Sequence, residues 1–206
     1  MKDIAIIGAG GFGRETAWLI QQLGGWNLIG FFDDNTNANT GFADLKILGD
    51  IDALKNLATT TALVIAISNP VIRQQIAEKI GDEFDFPSLI HPSSSVGHPS
   101  NQIGKGVIVT DGVILTTHIY LGDFTIVNLA TTIGHDCRLS KFTSIMPQCS
   151  ISGNVTLGER CFVGAGARVL QSISLGNDCV VGAGAVVTKS FGTGAKLVGV
   201  PAKEVS

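Results

Sequence analysis

Two groups of residues in this chain have the types and spacing to do chemistry. The first is His135 followed at once by Asp136. An imidazole titrates close to neutral pH, so it can take a proton from an attacking nucleophile and later release it. A carboxylate beside it would fix the tautomer and stabilise the imidazolium that forms. The second is Gly8-Ala-Gly10-Gly-Phe-Gly13, a G-x-G-x-x-G turn with Asp33 twenty residues after its last glycine. Such a turn offers backbone N–H groups and a helix N-terminus to a phosphate. The plainer readings are a solvated corner histidine and a tight turn needed only for packing.

What must position His135 is a repeat. From Ile103 to Val187 an Ile, Leu or Val recurs every six residues, fifteen times in succession. Six is neither the period of a helix face nor a simple alternation, and a fixed repeat means a solenoid whose units bury their apolar sides against each other. With the aliphatic residue as position one, position five is mostly small or β-branched, position two is often Gly, and positions three and four carry most of the polar residues. Positions one and five therefore point inward, and three and four turn a corner. The position-two glycines would supply unusual backbone angles or close approach. Three such faces close a triangular coil of eighteen residues, stacked through parallel sheets. His135 falls at position three and Asp136 at position four, both on a corner. The segment 1–88 could cover the first open end of the stack and the tail 191–206 the last.

What must position the glycine turn is a small α/β unit. Residues 4–7 read as a buried strand, 14–23 as a helix, 28–32 and 63–67 as strands, 71–80 as a helix started by Pro70, and 88–90 as a strand entering the solenoid. The glycine fingerprint suggests NAD, but about 88 residues hold one mononucleotide-binding half rather than two. Residues 1–88 and 89–206 are accordingly expected to be separate domains.

Composition narrows the classes. The chain has 206 residues, is 45% hydrophobic and carries a net charge of −3. That balance argues against a nucleic-acid or polyanionic membrane partner. The first residues have too short an apolar run for a secretory signal, and no stretch approaches the roughly 20 apolar residues of a membrane span. A cytoplasmic protein is expected. Cys137, Cys149, Cys161 and Cys179 are spaced by multiples of six, all at position five. They read as interior hydrophobes rather than zinc ligands or a disulfide.

The hexad array resembles the hexapeptide-repeat acyltransferases, whose fold is a left-handed parallel β-helix. The small α/β segment ahead of it is similar to that of one subgroup, the bacterial sialic acid and nucleotide-sugar acetyltransferases. The residues that carry this likeness are Gly8-Ala-Gly-Gly-Phe-Gly-Arg14, Phe32-Asp-Asp34, Ile90-His-Pro92, Ile133-Gly-His-Asp-Cys137, Gly153-Asn-Val155 and the tail Val198-Gly-Val-Pro-Ala-Lys203. The resemblance implies an acetyl-CoA-dependent acetyltransferase acting on an amino or hydroxyl group of a nucleotide-linked sugar, in surface-glycan synthesis, as a homotrimer. His135 would be the general base, helped by Asp136. Gly11, Phe12, Gly13, Asp33, Asp34, Ser68 and Asn128 would contact the sugar nucleotide, and Ser144, Gly153, Ala165 and Ala183 the cofactor. Gly153 would also offer its N–H to the tetrahedral oxyanion. Two positions depart from the pattern, since many relatives have His where this chain has Phe12 and a subset has His in place of Ser144. Other readings that stay open are O-acetylation of free sialic acid or serine, a zinc enzyme on the same solenoid, an NAD oxidoreductase and a non-catalytic scaffold. No metal site is expected, because no two histidines lie within five residues.

Overall fold

The computed structural model describes residues 1–37, 40–42 and 45–205. Eighteen-residue coils dominate it. From Gln102–Ile103 to Arg168–Val169 each strand pairs in parallel with the strand eighteen residues on, as Ile126 does with Ser144, Thr132 with Ser150 and Arg138 with Thr156. The result is a left-handed parallel β-helix with three flat faces. The first face runs from Leu89–Ile90 through Ile108–Val109, Ile126–Val127, Ser144–Ile145, Phe162–Val163 and Val180–Val181 to Lys196–Val198. The second holds Ile114–Leu115 to Val186–Val187, and the third Gln102–Ile103 to Ser174–Leu175. Position-one side chains and the four cysteines fill the interior, which is a single apolar column from Val107 to Ala202.

The corners show how six residues turn. Position four has left-handed backbone in every coil of the array, for instance His118 (φ 55°), Asp136 (φ 60°) and Phe142 (φ 60°). Most of these are not glycine. An L-residue in this region costs about 1–2 kcal/mol, and the ladder offsets it by giving each such N–H a partner one coil back, as in Asp136 N–H to Thr117 O at 3.0 Å. The position-two glycines have ordinary φ and serve close approach alone. A Cβ on Gly134 would lie 2.7 Å from Gly153 N, and one on Gly122 2.6 Å from Lys141 N. The expectation of unusual angles there is corrected: the strain sits two residues later.

The N-terminal unit is a parallel sheet of β1 (Lys2–Ile7), β2 (Trp26–Phe32), β3 (Ile47–Gly49) and β4 (Ala62–Ile65), in the order β3-β2-β1-β4. Helix α1 (Gly11–Leu23) links β1 to β2, and α2 (Pro70–Ile80) follows β4. β3 and a short 3₁₀ turn, Ile51–Asn56, were not anticipated. Asn69 caps α2, its Oδ1 accepting from the N–H groups of Val71 and Ile72. Both faces of the sheet are buried, as expected of parallel strands. Ile4 and Ile6 pack with α1, and also with Ile108 and Ile126 of the solenoid's first face. Ala5 and Ile7 pack with α2 and with Phe124 and Phe142, which are stacked 5.3 Å apart on the corner between the third and first faces.

This docking corrects one expectation. Residues 1–88 lie against the side of the stack, because Ile108 and Ile126 turn apolar side chains outward there and are fully buried. The tail does close the last coil. Lys203–Val205 folds back antiparallel on Lys196–Val198, and Ala202 enters the core.

Candidate active site

His135 sits on the corner between the second and third faces, just after Thr132–Ile133. The left-handed turn at Asp136 throws both side chains to the same side, and His135 Nδ1 lies 2.7 Å from Asp136 Oδ2. With Nδ1–H donating to the carboxylate, Nε2 is left as the lone-pair nitrogen. The ring rests on the next coil: a Cβ on Gly153 would lie 2.5 Å from Nε2. Only a bare Cα lets the imidazole lie there. Gly153 N–H has no acceptor among the described residues. From the preceding coil His118 brings its Nδ1 to 3.9 Å from the other oxygen of Asp136, beyond hydrogen-bond reach. His135 and Asp136 are each a little over half exposed, so the pair faces outward.

The glycine turn lies at the carboxyl edge of the sheet. Gly8 adopts φ 101°, and a Cβ on Gly13 would overlap Gly8 O at 1.9 Å. That closeness seats α1 on β1. Asp33 holds the turn from below: its Oδ2 accepts from Ala9 N–H at 2.7 Å and its Oδ1 from Asn35 N–H at 2.8 Å. Asp34 Oδ1 accepts from Ile51 N–H at 3.3 Å. Gly10 offers α1 no side-chain cap, and the first turn, which includes Gly11 and Phe12, has no acid. The positive end of the helix is therefore open to an anion. Phe12, in the first turn of α1, is partly buried against the core and presents no polar group. Ser68 follows the neighbouring strand β4 and lines a groove of about 440 Å³ with Val71, Arg160, Phe162, Asp178 and Val180. The glycine turn and Ser68 thus flank the switch point between β1 and β4, where open α/β sheets bind ligands.

The remaining candidates are scattered around the prism. Asn128 is buried at the corner between the first and second faces, its Oδ1 accepting from Leu129 N–H at 2.7 Å and Thr110 Oγ1 at 3.2 Å. Ala165 and Ala183 are exposed on that same corner one coil apart, a ridge without bulk. The structure withdraws Ser144 as a cofactor contact through its side chain. Ser144 is fully buried beneath the N-terminal unit, its hydroxyl donating to Ser68 O at 2.7 Å and accepting from Arg73 Nη2 at 2.8 Å. Within one chain His135 and Gly153 occupy one corner, Ala165, Ala183 and Asn128 a second, and the glycine turn lies over the first face. Among the described residues no three His, Cys, Asp or Glu side chains group to hold a metal ion. No helix among them is long and apolar enough to cross a membrane.

Two ties between the N-terminal unit and the solenoid escaped the sequence reading. Arg73 is 1% exposed, and burial pushes its guanidinium down to about 9. Its signal was spacing, since Pro70, Arg73, Ala77 and Ile80 form the buried stripe of α2. His91 joins the first coil to α1, its Nε2 lying 2.6 Å from Gln22 Oε1.

Comparison with known proteins fits this arrangement. A family model for the PglD N-terminal domain matches residues 3–80, and one for the hexapeptide repeat of succinyl-transferase matches residues 154–189. GDP-perosamine N-acetyltransferase of Escherichia coli O157:H7 is 30% identical over 175 residues, 83% of this chain and 79% of that protein. The acetyltransferase domain of PglB from Neisseria gonorrhoeae FA1090, solved with acetyl coenzyme A, superposes with a TM-score of 0.93 at 35% identity, covering 99% of each chain. PerB from Caulobacter crescentus, solved with CoA and GDP-perosamine, gives 0.90 at 31% identity, covering 100% of this chain and 98% of its own.

Proposed function

Because this chain belongs to the family of hexapeptide-repeat nucleotide-sugar N-acetyltransferases, we propose that it moves the acetyl group of acetyl-CoA onto the amino group of a nucleotide-linked amino sugar. The observation that carries this reading is the His135 ring, held on Nδ1 by Asp136 and seated on Gly153. As the sugar amine attacks the thioester carbonyl, Nε2 takes the proton that the nitrogen loses. The oxyanion forms beside Gly153 N–H, whose hydrogen-bonding capacity is unspent and would be worth most in that transition state. Collapse breaks the C–S bond, and the imidazolium returns the proton to the CoA thiolate. The products are the N-acetyl sugar and CoA.

Residues 1–88 are the nucleotide-sugar domain in this reading and residues 89–206 the transferase domain. Gly11 and Gly13 cradle a phosphate with the α1 N-terminus, Ser68 lines the groove beside them, and Asp33 and Asp34 shape the turn. Phe12 supplies apolar surface in place of a polar contact. Ala165 and Ala183 offer a ridge along which a pantetheine arm could lie against the backbone. Those groups surround the prism, so a complete site needs two copies, with the His135 corner of one chain set against the first face and the Ala165 ridge of its neighbour. A homotrimer closes such head-to-tail contacts. Both substrates are cytoplasmic metabolites, which favours a cytoplasmic enzyme in surface-glycan assembly.

The test is turnover with acetyl-CoA and GDP- and UDP-linked 4-amino sugars. His135→Ala should lower kcat by about 10²-fold or more with the fold intact. Near-normal kcat in that variant would refute the assignment.

A further inference from the structure

The carbonyls of position four are the weak point of this solenoid. Among the described residues no backbone N–H bonds to any of them. On an open corner water serves them. On the corner between the third and first faces, α2 and the packed rings of Phe124 and Phe142 exclude it, and a buried carbonyl without a donor is costly. Arg73 fills both vacancies, with Nε donating to Phe124 O at 2.9 Å and Nη2 to Phe142 O at 2.7 Å. Nη2 also reaches Thr143 O at 3.3 Å. Among the described residues no carboxylate is its partner.

The same guanidinium reaches the nucleotide side. Nη1 donates to Ile67 O at 2.5 Å, and Nη2 donates to Ser144 Oγ, whose hydroxyl donates in turn to Ser68 O at 2.7 Å. Two consecutive carbonyls beyond β4 are thus fixed to the solenoid from behind. The glycine turn rests on this segment: a Cβ on Gly8 would lie 3.0 Å from both Ala66 O and Ile67 Cγ1. Any shift of Ile67 and Ser68 moves both walls of the phosphate seat.

We propose that Arg73 and Ser144 are positioning residues for the nucleoside diphosphate, a relay that locks the Ile67–Ser68 segment and the glycine turn in register with the solenoid. This rests on the nucleotide-sugar reading above. The Ser144 hydroxyl suits the relay because it both accepts from the guanidinium and donates to the carbonyl.

The experiment measures GDP, UDP and CoA binding by calorimetry on full-length wild type, Ser144→Ala and Arg73→Lys. Ser144→Ala should weaken the tighter-binding nucleotide by about fivefold and leave CoA within about twofold. Arg73→Lys, with fewer donors than five acceptors require, should weaken it further. In turnover the loss should enter KM for the sugar nucleotide rather than kcat or the KM for acetyl-CoA. Should Arg73→Lys not fold, Ser144→Ala decides alone. Unchanged nucleotide affinity in Ser144→Ala, equal weakening of nucleotide and CoA, or wild type binding neither GDP nor UDP would each overturn the relay. Wild type that binds a nucleotide, loses that binding in the variants, and yet acetylates no sugar would sink the acetyltransfer reading and leave the relay standing.

Discussion

The imidazole of His135 lies on the bare Cα of Gly153, one coil further along the stack, so closely that a methyl group there would sit 2.5 Å from Nε2 and 2.6 Å from Cε1. Asp136 fixes the ring from one edge and Gly153 from beneath. Gly153 has ordinary φ, so alanine strains no backbone at this site. Gly153→Ala should therefore tilt the imidazole while the coil persists. The expected outcome is a fall in kcat of about 10- to 100-fold with a thermal midpoint within a few degrees of wild type, because small misplacements of a reacting group cost that much. Wild-type kcat in this variant would mean the ring is not held by that contact.

Ile126 points away from the solenoid interior yet is fully buried between the first face and the N-terminal sheet. Truncating it leaves a void where the two units meet. Ile126→Ala should cost about 2–4 kcal/mol, read as a fall in the denaturant midpoint. Faster proteolysis in the N-terminal unit than in the coils would accompany it. A midpoint unchanged from wild type would show that the units do not stabilise each other through this contact.

The interior thiols give the protein an alkaline limit. Burial pushes Cys149 up to about 11 and Cys161 to about 12, and raises Cys137 and Cys179 as well. Once the pH passes about 9, the unfolded chain loses thiol protons that the folded chain keeps, so unfolding is favoured and stability declines up to about pH 12. Below about pH 8 these groups contribute no slope. A thiol reagent at pH 8 should leave the native protein unlabelled and modify all four free cysteines in denaturant. Rapid labelling of native protein would mean that the coils open.

Much of the fold was open to reading because the inward residues recur without a gap. Positions one and five named the core, and the strands of the N-terminal sheet were visible as apolar runs. The side on which that sheet docks was also written in the chain. The outward residues of the first face begin Ile108 and Ile126, where the third face has Gln102, Tyr120 and Arg138. The corners were not legible. Left-handed backbone falls on residues as different as Phe124, Asp136 and Arg160, because the stacking ladder imposes it and the side chain does not choose it. The residue types of the site could be named, but not their distribution around three sides of a prism. That follows from closure of the coil and has no local signature. Arg73 stayed hidden for a related reason, since its acceptors lie 51 to 71 residues away along the chain, apart from Ile67.

Paired strands that are eighteen residues apart also set rules for change in this protein. Adding one amino acid inside the array would shift every later side chain by a sixth of a face, an eighteenth of a revolution, turning core residues toward water. Adding eighteen would lengthen the column by a storey and leave each vertex where it was. Growth and shrinkage are therefore quantised, and the span from the glycine turn to the closing tail can alter only in whole storeys.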